Sequence, residues 1–398
     1  MKALAKSLMC VAMAACSAVA FTGCDNDSES SATTAPQTTN STGASTQGLT
    51  AAPATADEVP TNPAYNFTKL KQDTDSITAK FDNTLVASKF RGTVYYKLGN
   101  DFEYIGNNGY ADKGSHTYNS LNTNYYIGSL TKQFTAAAVM ILQEQDKLST
   151  DDTLDKYYPD YKYGSDITIR NLLTMTTGLP DYLGKSDESV RANAPQYDIS
   201  EKNSAKDNHS VILKWILSQE IDNDEENYNY SNSDYFILGD IIEKVSGKSY
   251  EEFLKENIFE PLEMTSTTFE STDQLATGYQ DIFDDEWNIY PGVAYSSTGL
   301  ISNLSDLLKW TDAITGSELL SAKSKEEMFT PYKSSFAYGL YVDDCGNYYC
   351  DAAFYRFNTR IVFAQDQSKV FIAFSNYTQS NPNAVNKKLD EILKPYLK

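Results

Sequence analysis

Ser129-Leu130-Thr131-Lys132 sets a hydroxyl and an amine three residues apart, at the mouth of an apolar run from Phe134 to Leu142. On a helix such residues lie on one face of adjacent turns, so a nucleophilic oxygen can meet a base able to take its proton. The first turn of a helix also has N–H groups without intrahelical partners and the positive end of the dipole, which favours negative charge developing on a substrate oxygen. The chemistry indicated is acyl transfer. Alone, the tetrapeptide is weak, because about one Ser-x-x-Lys is expected by chance in a chain of 398 residues, and a capped helix with a solvated lysine explains it more simply.

About a hundred residues downstream stands Tyr230-Ser231-Asn232. In an extended segment residues i and i+2 point the same way, which would turn a phenol and an amide toward one pocket. An ordinary lysine, near ~10.4, is protonated at neutral pH, so either Lys132 is depressed by its surroundings or a tyrosinate takes the proton. Lys132 and Tyr230 can divide that work. With 29 Tyr in the chain, a structural Tyr230 is the competing reading.

The stretch Ile127 to Ala136 resembles the nucleophile region of the penicillin-recognising serine hydrolases, nearest to class C β-lactamases, DD-peptidases and related esterases. The likeness continues through Leu148 to Asp152, Ile167 to Thr174 and Thr177-Gly178-Leu179-Pro180-Asp181-Tyr182. It resumes at Tyr230-Ser231-Asn232 with Leu238-Gly239, and at Gly299 to Ser302 with Asp306-Leu307, always in the family's order. Ordered matches over most of the chain after residue 85 are far more specific than one tetrapeptide. The resemblance implies Ser129, Lys132 and Tyr230 as catalytic residues and Asn232 as a substrate-binding residue.

One departure stands out. Where the family has Lys or His, then Thr or another residue, then Gly on a strand facing the nucleophile, the alignment places Cys350-Asp351-Ala352, with Ala353 to Phe357 at the following Gly-rich turn. Cation and glycines are both missing, and neither His116 nor His209 falls nearby. Without that cation the Tyr230 phenol is expected to stay near ~10. Cys350, Asp351, Ala352, Ala353 and Arg356 are expected to line the substrate site; Arg356 or Arg360 could supply positive charge for a substrate carboxylate, with an ordinary surface arginine as the competing reading. The resemblance also implies an oxyanion hole made by the N–H groups of Ser129 and Ala353.

Lys2 and Lys6 precede an apolar stretch, Leu8 to Phe21, that ends in Phe21-Thr22-Gly23-Cys24 and resembles a lipoprotein signal cleaved before Cys24. Residues 1–23 are thus read as signal, residues 24–64, rich in Ser, Thr, Ala, Asn and Pro, as a tether unable to bury enough apolar area to order itself, and residues 65–398 as the functional domain. The expected location is the bacterial cell envelope, outside the cytoplasm and held by lipid on Cys24. Loss of Lys2 and Lys6 takes the formal charge from −21 to −23, which repels nucleic acid and anionic lipid and leaves the acyl chains as the membrane contact. Export makes a Cys345–Cys350 disulfide plausible at a short hairpin tip. No metal-ligand cluster or cofactor motif is visible, and a monomer is expected.

These residues need a scaffold. Gly99-Asn100 between Gly92 to Leu98 and Phe102 to Ile105 reads as a hairpin, and a second runs across Arg360 to Phe363 and Val370 to Phe374. Val385, Leu389, Ile392 and Leu393 repeat at helical spacing, and Pro395 ends that helix. Between the hairpins lie mainly helical stretches, including Ser210 to Leu217 and Asp234 to Val245. The expected fold is α+β: an antiparallel β-sheet flanked by helices with an inserted, mainly helical lobe, and Ser129 at the seam. The function expected is a serine hydrolase acting through an acyl-enzyme on a cell-wall peptide, β-lactam or ester. The alternative is a non-catalytic descendant that binds an envelope ligand.

Overall fold

Six strands pair in one antiparallel sheet: β1 (Gly92–Leu98), β2 (Phe102–Asn108), β3 (Tyr341–Val342), β4 (Tyr348–Phe354), β5 (Phe357–Phe363) and β6 (Lys369–Ser375), in the order β2-β1-β6-β5-β4-β3. The computed structural model describes residues 66–183, 205–222, 227–280 and 293–397; the expected signal, the expected tether and the expected lipid site Cys24 lie outside the described residues. Both expected hairpins form, β1–β2 across Gly99 and β5–β6 with Val370 opposite Phe363. Because β1 pairs with β6, from Gly92↔Ser375 to Leu98↔Lys369, the ends of the domain meet in mid-sheet.

Alternation along the strands decides what each face packs against. Val94, Tyr96 and Leu98 of β1 and Phe371 and Ala373 of β6 face α1 (Thr74–Ala87) and α7 (Pro382–Leu393), whose Ile77, Phe81, Leu85, Val385, Leu389 and Leu393 complete that core. Tyr95, Ile372 and Phe374 face the other way and join the core of the inserted lobe. Burial on both faces is why these strands read as near-continuous apolar runs.

The inserted lobe contains α2 (Thr131–Glu144), α3 (Ile169–Thr174), α4 (Ala205–Leu217), α5 (Asn232–Ser246) and α6 (Leu304–Thr315). Every residue of α2 from Thr131 to Leu142 is buried, so this helix runs through the lobe rather than over it. Phe134 stacks on Trp310 with ring centroids 4.0 Å apart, and Trp310 Nε1 donates to Gln133 Oε1 at 2.9 Å. The α-helix starts at Thr131, two residues later than the spacing suggested: Gly128–Leu130 is a 3₁₀ turn. Gly128 sits at φ +54°, and a Cβ there would come within 3.2 Å of Phe354 and 3.3 Å of Ala352, so a bare backbone lets Ser129 sit directly against β4.

The expected disulfide is a correction: Cys345 and Cys350 are both free. Strand alternation buries Cys350 on β4, where it pairs with Ile361, while Cys345 lies exposed in the preceding turn. That turn is closed instead by Asp343, whose Oδ1 accepts from the N–H groups of Cys345 and Asn347, each at 2.8 Å.

Candidate active site

Three elements bring the catalytic candidates together. The 3₁₀ turn presents Ser129, and the first turn of α2 presents Lys132, its Nζ 3.2 Å from Ser129 Oγ. The segment entering α5 presents the other two: Tyr230 precedes the helix, Ser231 caps it from extended backbone at φ −140° and ψ 124°, and Asn232 opens it. Tyr230 OH lies 2.6 Å from Ser129 Oγ, and Lys132 Nζ donates to Asn232 Oδ1 at 2.7 Å and to the Ser297 carbonyl at 2.9 Å. The predicted quartet is therefore one hydrogen-bonded cluster, with Ser129 half-buried and Lys132 fully buried.

Burial pulls the Lys132 amine from the lysine range down to about 7, and the nearby carboxyl groups of Asp181 and Asp234 oppose that pull. The phenol goes the other way. Burial pushes Tyr230 well above 10.0, beyond the value expected from the missing cation alone, and Tyr341, Cys350 and Asp181 add to it while the Ser129 hydrogen bond opposes. Of the two proposed bases, Lys132 is thus the one available uncharged near neutral pH. The Cys350 thiol is pushed up by burial to about 12, which keeps it protonated beside the amine.

On β4 only part of the expected set reaches the nucleophile. Cys350, Ala352 and Phe354 are buried on the inner face, whereas Asp351 is exposed on the outer one, where it pairs with Arg360 at 2.5 Å. Arg360 in turn donates to Asn386 on α7 at 3.1 Å. Asp351 as a substrate contact is thereby corrected, and Arg360 is engaged away from Ser129; period-two alternation is the reason.

Ala353 contributes through its backbone. Phe354 and Phe357 close a two-residue hairpin and so exchange hydrogen bonds; alternation then gives Ala352 the next bonded pair with Thr359 and turns the Ala353 N–H to the open edge of the strand. That edge borders Gly128, where a Cβ would lie 3.6 Å from the Ala353 carbonyl carbon. The N–H groups of Ser129 and Ala353 can therefore face one substrate oxygen. In place of glycines the hairpin turn uses Tyr355 at φ 46° and Arg356 at φ 70°. Arg356 is half-buried against Gly278, and its Nε has no hydrogen-bond partner among the described residues.

Two contributors went unassigned from sequence. Asp181 accepts from the Asn232 backbone N–H at 3.1 Å and from Asn232 Nδ2 at 3.0 Å, and the Ser297 carbonyl holds the amine. The signal for Asp181 was its place in the Gly-Leu-Pro-Asp-Tyr stretch; a backbone acceptor such as Ser297 has none. The fold also gathers His209 of α4 with Asp240 and Glu243, one turn apart on α5, within metal-ligating distance of one another. Asp240 is already engaged by His209, Lys244 and Tyr158, so this trio reads as a structural ion network.

The Beta-lactamase family model matches residues 85–393. The chain is 30% identical over 326 residues to the putative penicillin-binding protein PbpX of Bacillus subtilis, covering 79% of this chain and 78% of that one. Its fold matches a penicillin-binding protein from Bacillus halodurans at a TM-score of 0.67 and 24% identity, covering 78% of this chain and 99% of that one. It likewise matches the D-amino acid amidase of Ochrobactrum anthropi at a TM-score of 0.66 and 20% identity, over 81% and 98% of the two chains.

Proposed function

The chain belongs to the β-lactamase family of serine hydrolases, and from that premise we propose that it hydrolyses an amide or ester outside the cytoplasm through an acyl-enzyme on Ser129. The observation that carries this reading is a buried amine, drawn down to about 7, 3.2 Å from a serine hydroxyl that also touches a phenol at 2.6 Å. Neutral Lys132 takes the Ser129 proton as Oγ attacks the substrate carbonyl. The N–H groups of Ser129 and Ala353 hold the oxyanion.

As the tetrahedral intermediate collapses, the protonated Tyr230 phenol gives its proton to the leaving amine or alkoxide, and the phenolate left behind takes a proton from the Lys132 ammonium, which lies over its ring and returns to the neutral amine. The acyl group then sits on Ser129 until water, activated by the same amine, releases it. Substrates that suit this site are D-alanyl-type cell-wall peptides, related D-amino acid amides and small esters. A third element carrying Cys350 instead of a cation disfavours efficient β-lactam turnover. Export and anchoring by lipid on Cys24 belong to the same proposal, and a Cys24→Ser chain that still incorporates labelled palmitate would overturn that anchor.

The test of the chemistry is labelling with a fluorescent fluorophosphonate and a fluorescent penicillin, beside a Ser129→Ala control. Label that depends on Ser129 is the expected result. A folded protein that takes no such label refutes the hydrolase and leaves a ligand-binding descendant of the fold.

A further inference from the structure

We propose that Asp181 is a positioning residue whose carboxylate decides which end of the Asn232 amide faces Lys132, and through it the direction of the Lys132 lone pair. The inference rests on Ser129 and Lys132 being nucleophile and base. Asp181 Oδ1 accepts from the N–H groups of Asn232 at 3.1 Å and Leu183 at 3.0 Å, and its Oδ2 accepts from Asn232 Nδ2 at 3.0 Å. All three partners donate, as suits an ionised carboxylate, and together with the Lys132 charge they oppose the burial that raises the Asp181 carboxyl above its ordinary range. Because Nδ2 must face Asp181, Oδ1 must face Lys132, where it accepts at 2.7 Å.

The amine then meets two fixed acceptors, Asn232 Oδ1 and the Ser297 carbonyl at 2.9 Å. A neutral amine has two N–H donors and one lone pair; with both donors committed, the lone pair is left for the third neighbour, Ser129 Oγ at 3.2 Å. If the amide were reversed, Nδ2 would occupy the lone pair and the base would be lost. The loop is held for this purpose: Ser233 Oγ donates to the Pro180 carbonyl at 2.6 Å and accepts from the Tyr182 N–H at 3.0 Å, tying Asp181 to the start of α5.

Other groups face the amine as well. Asp234 and the Tyr235 ring approach from α5, the Tyr230 ring from the segment before it, and Cys350 from β4. Asp181 is the largest of the charges named, and it alone also grips Asn232.

The test measures the rate of fluorophosphonate labelling of the full chain from about pH 5 to pH 10 in three proteins. In Asp181→Asn the new amide NH2 meets Asn232 Nδ2, so Asn232 reverses; the plateau rate should fall about 100-fold. The acidic limb should also move down by about one pH unit, since Lys132 has lost a negative neighbour. Adding Asn232→Asp restores an acceptor toward both partners. That double variant should recover most of the plateau, with its acidic limb moved up by the new carboxylate.

An unlabelled wild type sinks the hydrolase reading itself. A labelled wild type with an unchanged Asp181→Asn profile sinks only the role of Asp181. A double variant no faster than the single one sinks it too, and so does an Asp181→Asn chain that unfolds and is not restored by the second change, because the residue would then be holding the loop and not the amine.

Discussion

Replacing Lys132 by Met should change the pH dependence of stability by an amount that the burial of the amine sets. The native amine titrates at about 7 and an unfolded lysine at 10.5, so between those values the unfolded chain binds a proton that the native protein lacks. Stability conferred through this group therefore rises with pH across that window, and the cost is fully present below it. From about pH 7 to about pH 9 the difference integrates to roughly 2 kcal/mol, at 1.36 kcal/mol per unit. Methionine fills similar space and does not titrate. The stability of wild type minus Lys132→Met, from chemical denaturation at the two pH values, should thus grow by about 2 kcal/mol, other titrating groups cancelling between the proteins. The same amine sets reactivity: at pH 7 about half of it is neutral, against roughly one part in 3,000 for an ordinary lysine. Parallel pH curves for the two proteins would refute the depressed amine and the base built on it, whatever happened to the rate.

Tyr230→Phe removes the 2.6 Å contact to Ser129 and should slow Ser129 acylation by about 100-fold or more while unfolding free energy moves by about 1 kcal/mol; a rate equal to wild type would remove Tyr230 from the mechanism. Gly339 sits at φ +80°, and a Cβ there would come within 2.7 Å of the Lys132 carbonyl, so Gly339→Ala should destabilise by about 2 kcal/mol and slow acylation together. An unchanged melting curve would contradict that packing. With Cys10, Cys16 and Cys24 replaced by Ser, Cys345 should react with Ellman's reagent in the native protein and Cys350 only after unfolding. No reactive thiol under unfolding, non-reducing conditions would mean the bridge forms after all.

Much of this protein was determined by its sequence alone, wherever the controlling physics is local. The three-residue spacing of Ser129 and Lys132 made their meeting a matter of one helical turn, and the structure has Nζ and Oγ 3.2 Å apart. Period-two runs flanking Gly99-Asn100 gave the β1–β2 hairpin, and the spacing of Val385, Leu389 and Leu393 gave α7 and its buried face. Ordered motifs identified the family.

Tertiary structure alone decided the rest, because the deciding partners are distant in sequence. How far Lys132 is desolvated depends on walls supplied by α5, the Ser297 turn and β4, which no local pattern encodes. Asp181 reaches Asn232 across fifty-one residues, so its grip on the amide is invisible until the loop is seen docked. Asp351 turns outward and Cys350 inward because the β4 register against β5 says so, and that register also keeps Cys350 from Cys345 and aims the Ala353 N–H toward the nucleophile. Residue types and spacing announced the reactive groups; the dielectric around them and the direction in which each one points were products of packing.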